Sequence, residues 1–596
     1  MFGRVLVVLG LMVLCESVEV GAQQNAWTNP TSGQWEDMHW SLGQLPGPGQ
    51  AVFIENSGSK AVSIGPSTVQ NFSQTVRPSS ITVSSPSNSH NALVLDNAGL
   101  EMPVSVLQLR IYADATLLTL HSALEVNNAL GGAFSIGGAL NQGDFSTVST
   151  ASVQIGDVGP GEYNLTNGNL VASAALSVGG NFPARFNQFG GSNYTADVQL
   201  YTSGEYDLFG GNLTVSNIIY RPGSSSAGNF NQYGGTVTGG VVYVTMGNYR
   251  LAGGILSCSE MQLPGVTSVF DYPDMANFLQ AGGTNFTSSV SIGNFPPPYV
   301  NAFPSGHYAL SNGVLITTST SLGPYGSMEQ YGGVHIADSL ELNGGQTGPN
   351  VFISPAYTLN DGVLSVNHLS MNLGNFVQKG GQLVAPNIEM AGGATFSQSG
   401  GSIMNADMVT LANGSWQANT NQQALGKLLV GDSQASNSAI VFPHGPSSLA
   451  FVNSASVSWS AQAILTIEHW NGSPTGDGLH QLYFGNDASG LSSQQLAQIQ
   501  FHNPAGATGN YPATILSTGE IVPTQVLISQ ASSNGLTLSW SPGFILQTST
   551  NVTGLFEDFS SPTSFTHTVT FSEPMRFFRL RSADKTLQTL ANFPNR

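Results

Sequence analysis

Charge is what this sequence has least of. Only 8% of its 596 residues are Asp, Glu, Lys or Arg, against about 25% in an ordinary soluble domain. Amphipathic helices need charged and long polar residues on their wet faces, so a helical protein is excluded as the main architecture. Cations are scarcest, with 14 Lys and Arg against 33 Asp and Glu. Nucleic acid and anionic lipid both call for a cationic face, so neither is an expected partner. Cysteine is nearly absent: Cys15 and Cys258 are the two in the chain. Long apolar runs are missing as well, and no stretch reads as a membrane-spanning helix of the mature chain. The familiar catalytic signatures are also lacking, namely a nucleophile elbow, a phosphate-binding loop, a zinc-binding His-Glu-x-x-His and a dinucleotide fingerprint.

What is present is glycine, with 71 residues, together with abundant Ser, Thr and Asn and a hydrophobic share of 40%. That share, with a small net charge per residue, argues against disorder. The mixture suits many short strands joined by tight turns. A chain of this length exceeds one compact core, so several domains or a repeat array is expected.

The N-terminus reads as a secretory signal over residues 1–22. Arg4 is the basic part, Val5 to Leu14 the apolar part, and Val20-Gly21-Ala22 a small-residue cleavage site. Leu14 before Cys15 is too bulky for a lipidation motif. Cleavage near Ala22 removes Arg4, Glu16 and Glu19, which moves the net charge from −19 to −18. It leaves Cys258 alone, so no intrachain disulfide can form. The expected location is secreted or cell-surface, with stability supplied by burial and backbone hydrogen bonds.

Two interleaved signatures recur. The first is Phe or Met, any residue, Gln, any residue, Gly-Gly. It stands at Phe186/Gln188, Phe230/Gln232, Phe278/Gln280, Met328/Gln330, Phe376/Gln378 and Phe396/Gln398, with Gln-to-Gln steps of 44, 48, 50, 48 and 20. The second is Tyr, any residue, Leu, two residues, Gly: Tyr163/Leu165, Tyr206/Leu208, Tyr249/Leu251, Tyr308/Leu310 and Tyr357/Leu359. Leu208 follows Gln188 by 20 residues, so the unit is about 20 residues with insertions, and the longer step is two units. Phe-x-Gln and Tyr-x-Leu are short alternating strands, and Gly-Gly turns the corner because Gly accepts positive φ. One such unit cannot bury its own apolar side. Stacking units about 4.8 Å apart pairs each strand with the next coil and lines up like side chains in ladders. A propeller also repeats at about 40–50 residues, but the half-step and the missing Trp-Asp signature favour the stack.

The expected fold is therefore all-β, a parallel β-helix or β-solenoid followed by a small antiparallel β-sandwich. The boundaries are residues 23–445 for the solenoid and 446–523 for a module that ends it. In that module Ser492 and Gln495 form a capping box at a short helix. Residues 524–584 form the sandwich, with strands at Gln525–Ile528, Leu536–Trp540, Phe544–Thr548, Thr566–Phe571 and Arg576–Leu580. Residues 585–596 are a tail.

Three segments carry a resemblance. Trp27-Thr28-Asn29, Gly33-x-Trp35, Trp40-Ser41-Leu42-Gly43 and Ala51-Val52-Phe53-Ile54 resemble the entry motif of exported bacterial proteins with autotransporter-type β-strand repeats. Leu465-Thr466-Ile467, Trp470-Asn471-Gly472, Gly476-Asp477-Gly478, Gln481-Leu482-Tyr483-Phe484-Gly485 and Gly519-Glu520-Ile521-Val522-Pro523 resemble the end module of the same family. Leu538-Ser539-Trp540, Leu546-Gln547-Thr548-Ser549 and Phe577-Phe578-Arg579-Leu580 are similar to a C-terminal β-sandwich of large secreted proteins. The resemblance implies a passenger-like solenoid and no catalytic residues. The chain departs from parts of that family in lacking a membrane barrel and a Pro-Glu-Pro sorting tail.

No residue is singled out as catalytic, cofactor-binding or metal-ligating, and no cofactor is expected. The preferred function is an extracellular or cell-surface structural, adhesin-like rod without catalysis that binds glycans or surfaces, with extracellular polysaccharide or cell-envelope components as partners. The alternative is a polysaccharide lyase or hydrolase on a β-helix. It needs clustered carboxylates and a cationic clamp. Between 150 and 420 the cations are Arg185, Arg221, Arg250 and Lys379, in separate units, and Asp271 and Asp274 are the nearest acidic pair. Glu468-His469 is read as a turn or surface feature.

Overall fold

The computed structural model describes residues 22–71, 76–102, 109–127, 134–220, 228–264, 276–294, 306–348, 351–418, 422–431, 437–506, 509–524, 527–532, 535–540, 544–559, 566–570 and 576–582. The signal segment with Cys15, Arg221, Asp271, Asp274 and the tail at 585–596 lie outside the described residues. The chain is all-β and dominated by parallel pairing, a β-solenoid followed by a small antiparallel sandwich. Two compact units divide it, one comprising residues 1–176 with 181–184 and the other 177–180 with 185–596.

In the first unit, Gln23–Ala26 pairs in parallel with Gln50–Ile54, which pairs with Ser80–Val83, and that with Leu109–Ile111. A second stack runs from Lys60–Ile64 through Asn91–Asp96 and Thr116–Leu120 to Ala139–Gln142. The start is packed by three tryptophans of the entry motif. Trp27 and Trp40 meet edge to face at 5.1 Å, Trp35 lies 4.9 Å from Trp40, and Trp40 Nε1 donates to the Trp35 carbonyl at 2.9 Å. Lys60 is buried here, and among the described residues no carboxylate pairs with it. Its ammonium donates to the Gly58 carbonyl and to Asn91 Oδ1, both at 2.8 Å, and burial lowers its pKa.

In the second unit the coils up to Val363–Asn372 contain one short and one long strand, and beyond it the long strand is split in two, as Gln382–Val384 and Asn387–Ala391. The short strands stack from Gly204–Leu208 through Asn229–Gln232, Gly247–Leu251, Ala276–Gln280, Gly306–Leu310 and Gly326–Gln330 to Ala356–Leu359 and on to Ser415–Ala418. The long ones stack from Ser192–Leu200 to Val363–Asn372 in one register, so that Asn193, Leu213, Val237, Leu256, Asn285, Leu315, His335 and Leu364 form a single inward row. Side-chain alternation explains why Phe, Tyr and Leu of both signatures point inward and are buried.

The Gly-Gly corner is imposed by the stacking distance. At Gly333 φ is +68°, and a Cβ would lie 2.6 Å from the Gly313 carbonyl oxygen one coil away. The left-handed φ disfavours other residues, and the Cβ contact would force the Gly313 carbonyl to move.

Parallel pairing continues beyond residue 445. Asn437–Val441 pairs with Ile464–Glu468, and that with Ile499–His502, while Ser447–Phe451 pairs with His480–Phe484. Asn510–Ile515 then runs antiparallel to Ile499–His502, and Ile521–Pro523 antiparallel to it. The reversal ends the parallel ladder, which would otherwise present an open edge. The short helix Ser493–Ala497 carries the capping box expected at Ser492 and Gln495. The sandwich has two three-stranded sheets, with Leu538, Trp540 and Leu546 as its buried core. Among the described residues no helix is long and apolar enough to cross a membrane.

Candidate functional site

The interior of the second unit is a ladder of rings. Centroids lie 4.6 Å apart for Tyr206–Phe230, 4.7 Å for Phe230–Tyr249 and 4.8 Å for both Tyr249–Phe278 and Phe278–Tyr308. Met328 takes the next step, and the ladder resumes through Tyr357, Phe376 and Phe396 to Trp416. The two interleaved signatures acquire a chemical meaning here. Where the following coil carries a tyrosine, the Gln of the first signature accepts from it. Tyr206 donates to Gln188 at 2.6 Å, Tyr249 to Gln232 at 2.8 Å, Tyr308 to Gln280 at 2.6 Å and Tyr357 to Gln330 at 2.6 Å. The same glutamines donate to backbone carbonyls of that coil, as Gln232 does to Ile255 at 2.8 Å. A buried hydroxyl and a buried amide thus satisfy each other. Sequence inspection found both residues but not their partnership, because the bond crosses between coils.

Asn193 and Asn285 each donate to the next coil's tyrosine, Tyr206 and Tyr308. His335 occupies the same row. Its Nδ1 lies 3.2 Å from the Tyr357 hydroxyl, and its Nε2 lies 3.2 Å from Thr320 Oγ1. Tyr357 already donates to Gln330, so Nδ1 carries the proton and Nε2 accepts. Burial pushes the His335 pKa down to about 3. Cys258 is buried with its sulfur 3.1 Å from Thr287 Oγ1, and burial raises its thiol to about 11, so it serves as packing.

On the outer face the cations expected from sequence are not gathered. Arg185 donates through Nε to Glu205 at 3.1 Å and lies 3.6 Å from Asp207. Arg250 belongs to the outward row Asp207, Asn231, Arg250, while Lys379 sits on a corner. The Arg185 network contains two carboxylates. Asn231 donates to both, at 3.0 Å to Glu205 and 2.8 Å to Asp207. Burial raises the Asp207 pKa, Asn231 lowers it, Glu205 raises it and Arg185 lowers it. Beside it runs an amide row in which Asn248 donates to Asn229 at 3.0 Å and Asn277 to Asn248 at 3.1 Å. Glu468 ends its strand 3.5 Å from His502, and His469 follows exposed at φ +58°. In the end module Glu520 is buried and accepts from the Asp477 amide at 3.1 Å. Burial raises its pKa, and the Asp477 carboxylate adds to the rise.

Corner positions form a further row. The amides of Phe209, Tyr233, Ala252, Ala281, Ser311 and Tyr331 each bond to the coil before, at 2.8 Å, which sets these residues one above another. Phe189, Phe209 and Tyr233 are exposed and stacked, with centroids 5.0 Å apart and planes within 9°. Phe209 is sandwiched between the other two, while Phe189 and Tyr233 each have one face outside the stack. Among the described residues no group of three or more His, Cys, Asp and Glu is placed to hold a metal ion. No family model, curated protein or solved structure matches this chain.

Proposed function

We propose that the protein is exported and acts at or beyond the cell surface as a structural, adhesin-like β-solenoid rod of the autotransporter-passenger type, contacting glycans or neighbouring surfaces without catalysis. The observation that carries this reading is the Tyr–Gln–aromatic ladder. It commits the interior of the second unit to coil-to-coil cohesion and leaves outer rows that are largely hydroxyls and amides, such as Ser289 over Ser319 and Ser291 over Ser321, with exposed apolar side chains at Phe286 and Ile336. A fold without disulfides that is stabilised by such repeated contacts suits an exposed scaffold. The test is expression from the native start codon, followed by fractionation and N-terminal sequencing. A mature form beginning at Gln23 in the surface or extracellular fraction supports export, and full-length chain retained inside the cell refutes it.

A second reading, a polysaccharide-cleaving β-helix, has one observation in its favour. Asp207 is an outward carboxyl whose pKa is raised by burial, beside Glu205 and Arg185. That is the pairing an acid and a base require. If the reading is right, soluble polysaccharides are cleaved by the wild type and not by Asp207→Asn.

A further inference from the structure

The corner row is aromatic at both ends of a gap. Below stand Phe189, Phe209 and Tyr233. Above, four coil steps on, stands Tyr331, 51% exposed. Ala252, Ala281 and Ser311 lie between, and all three are small. At about 4.8 Å per step the two tyrosines are roughly 19 Å apart. The coil pairing at these steps is continuous: Gln232 pairs with Leu251, Leu251 with Gln280, Gln280 with Leu310 and Leu310 with Gln330. The gap is therefore a notch in the side-chain layer over an unbroken backbone floor.

Tyr233 has one ring face against Phe209 and the other turned to Ala252, whose methyl cannot cover it. On that side Arg250 places its guanidinium carbon 6.0 Å from the ring centroid, at the outer limit of a cation–π contact. Tyr331 has Ser311 below it in the same way, and its hydroxyl donates to Glu329, which fixes the ring. The notch is thus bounded below by a Tyr233 face shared between Arg250 and solvent, and above by the exposed ring of Tyr331.

We propose that the notch between Tyr233 and Tyr331 is a saccharide-binding site, each wall stacking the C–H face of one pyranose of a neutral polysaccharide crossing the corner. A pyranose offers a flat set of weakly positive C–H groups that matches the electron-rich face of a tyrosine. Its equatorial hydroxyls then meet the donors of Arg250 and the hydroxyl of Ser311. This site deepens the reading of the chain as a glycan-contacting rod, and rests on it.

The test is affinity gel electrophoresis of the mature chain in gels holding β-1,3-glucan, hydroxyethylcellulose, xylan or galactomannan. Two variants probe the notch. In Tyr233→Ala/Tyr331→Ala the walls are removed. In Ala252→Phe/Ser311→Tyr the row of rings is continued over both free faces, at corner positions that already accept Phe and Tyr elsewhere. The wild type is expected to be retarded in at least one gel. Both variants should lose about tenfold in affinity, with circular dichroism and thermal unfolding of the filled variant unchanged. Retardation that survives in both variants overturns the notch while leaving a glycan-binding rod in place. No retardation of the wild type in any gel overturns both.

Discussion

Gln378 departs from the pattern of the interior ladder, and it permits a stringent test. Its Nε2 donates to the Ser402 carbonyl at 3.0 Å, as the other glutamines donate to theirs, but its Oε1 is buried with no donor. The ring above is Phe396, where the corresponding coils carry Tyr206, Tyr249, Tyr308 and Tyr357. Phe396→Tyr should place a hydroxyl against that oxygen. A buried acceptor without a partner costs about 1–3 kcal/mol, and an added hydrogen bond returns a net of about 1 kcal/mol. The converse change, Tyr357→Phe, strands Gln330 Oε1 and the Nδ1 proton of His335 together, and should cost about 2 kcal/mol. A stacked array unfolds locally, so a single global free energy is a poor readout. Amide exchange reports each coil separately. Strand Thr395–Gln398 should exchange about fivefold more slowly in Phe396→Tyr, and strand Ala356–Leu359 about thirtyfold faster in Tyr357→Phe. Faster exchange in Phe396→Tyr would mean that the hydroxyl overpacks the core, an effect also worth about 1–3 kcal/mol. Unchanged exchange in Tyr357→Phe would refute the ladder as a source of cohesion.

His335 should make the stack acid-sensitive. Its folded pKa, about 3, lies below the ordinary value of 6.5, so the unfolded chain binds the extra proton. Its contribution is intact above about pH 6.5 and is lost as pH falls toward 3, at up to about 1.4 kcal/mol per pH unit. His335→Asn copies the residue at Asn193 and Asn285, keeps an N–H donor for Tyr357, and should flatten the pH dependence of amide exchange in Val334–Asn343 over that window. An unchanged profile would mean that other groups set it. Gly333→Ala should destabilise its coil by more than about 1 kcal/mol, because the corner needs positive φ and the Gly313 carbonyl blocks a Cβ. Gly445→Ala, with nothing within 4 Å of the added atom, should shift thermal unfolding by less than a degree or so. Equal effects at the two sites would sink the steric account.

The sequence by itself determined the local rules of this protein. Alternation of Phe-x-Gln and Tyr-x-Leu fixes which side chains point inward, since a strand repeats every second residue. Gly-Gly fixes the corners, since glycine enters positive φ without a clash. Scarce charge excludes helices with wet faces. The capping box at Ser492 and Gln495 was legible for the same reason, since all its contacts lie within four residues. What only the tertiary structure decided is who sits above whom. Gln-to-Gln steps of 44, 48 and 50 conceal a constant rise, because insertions between coils lengthen the chain without moving the stack. Tyr206 meets Gln188, His335 takes the place of an asparagine, and Tyr233 and Tyr331 stand in one corner row with three small residues between them, through the register of backbone hydrogen bonds between coils, which linear spacing does not encode.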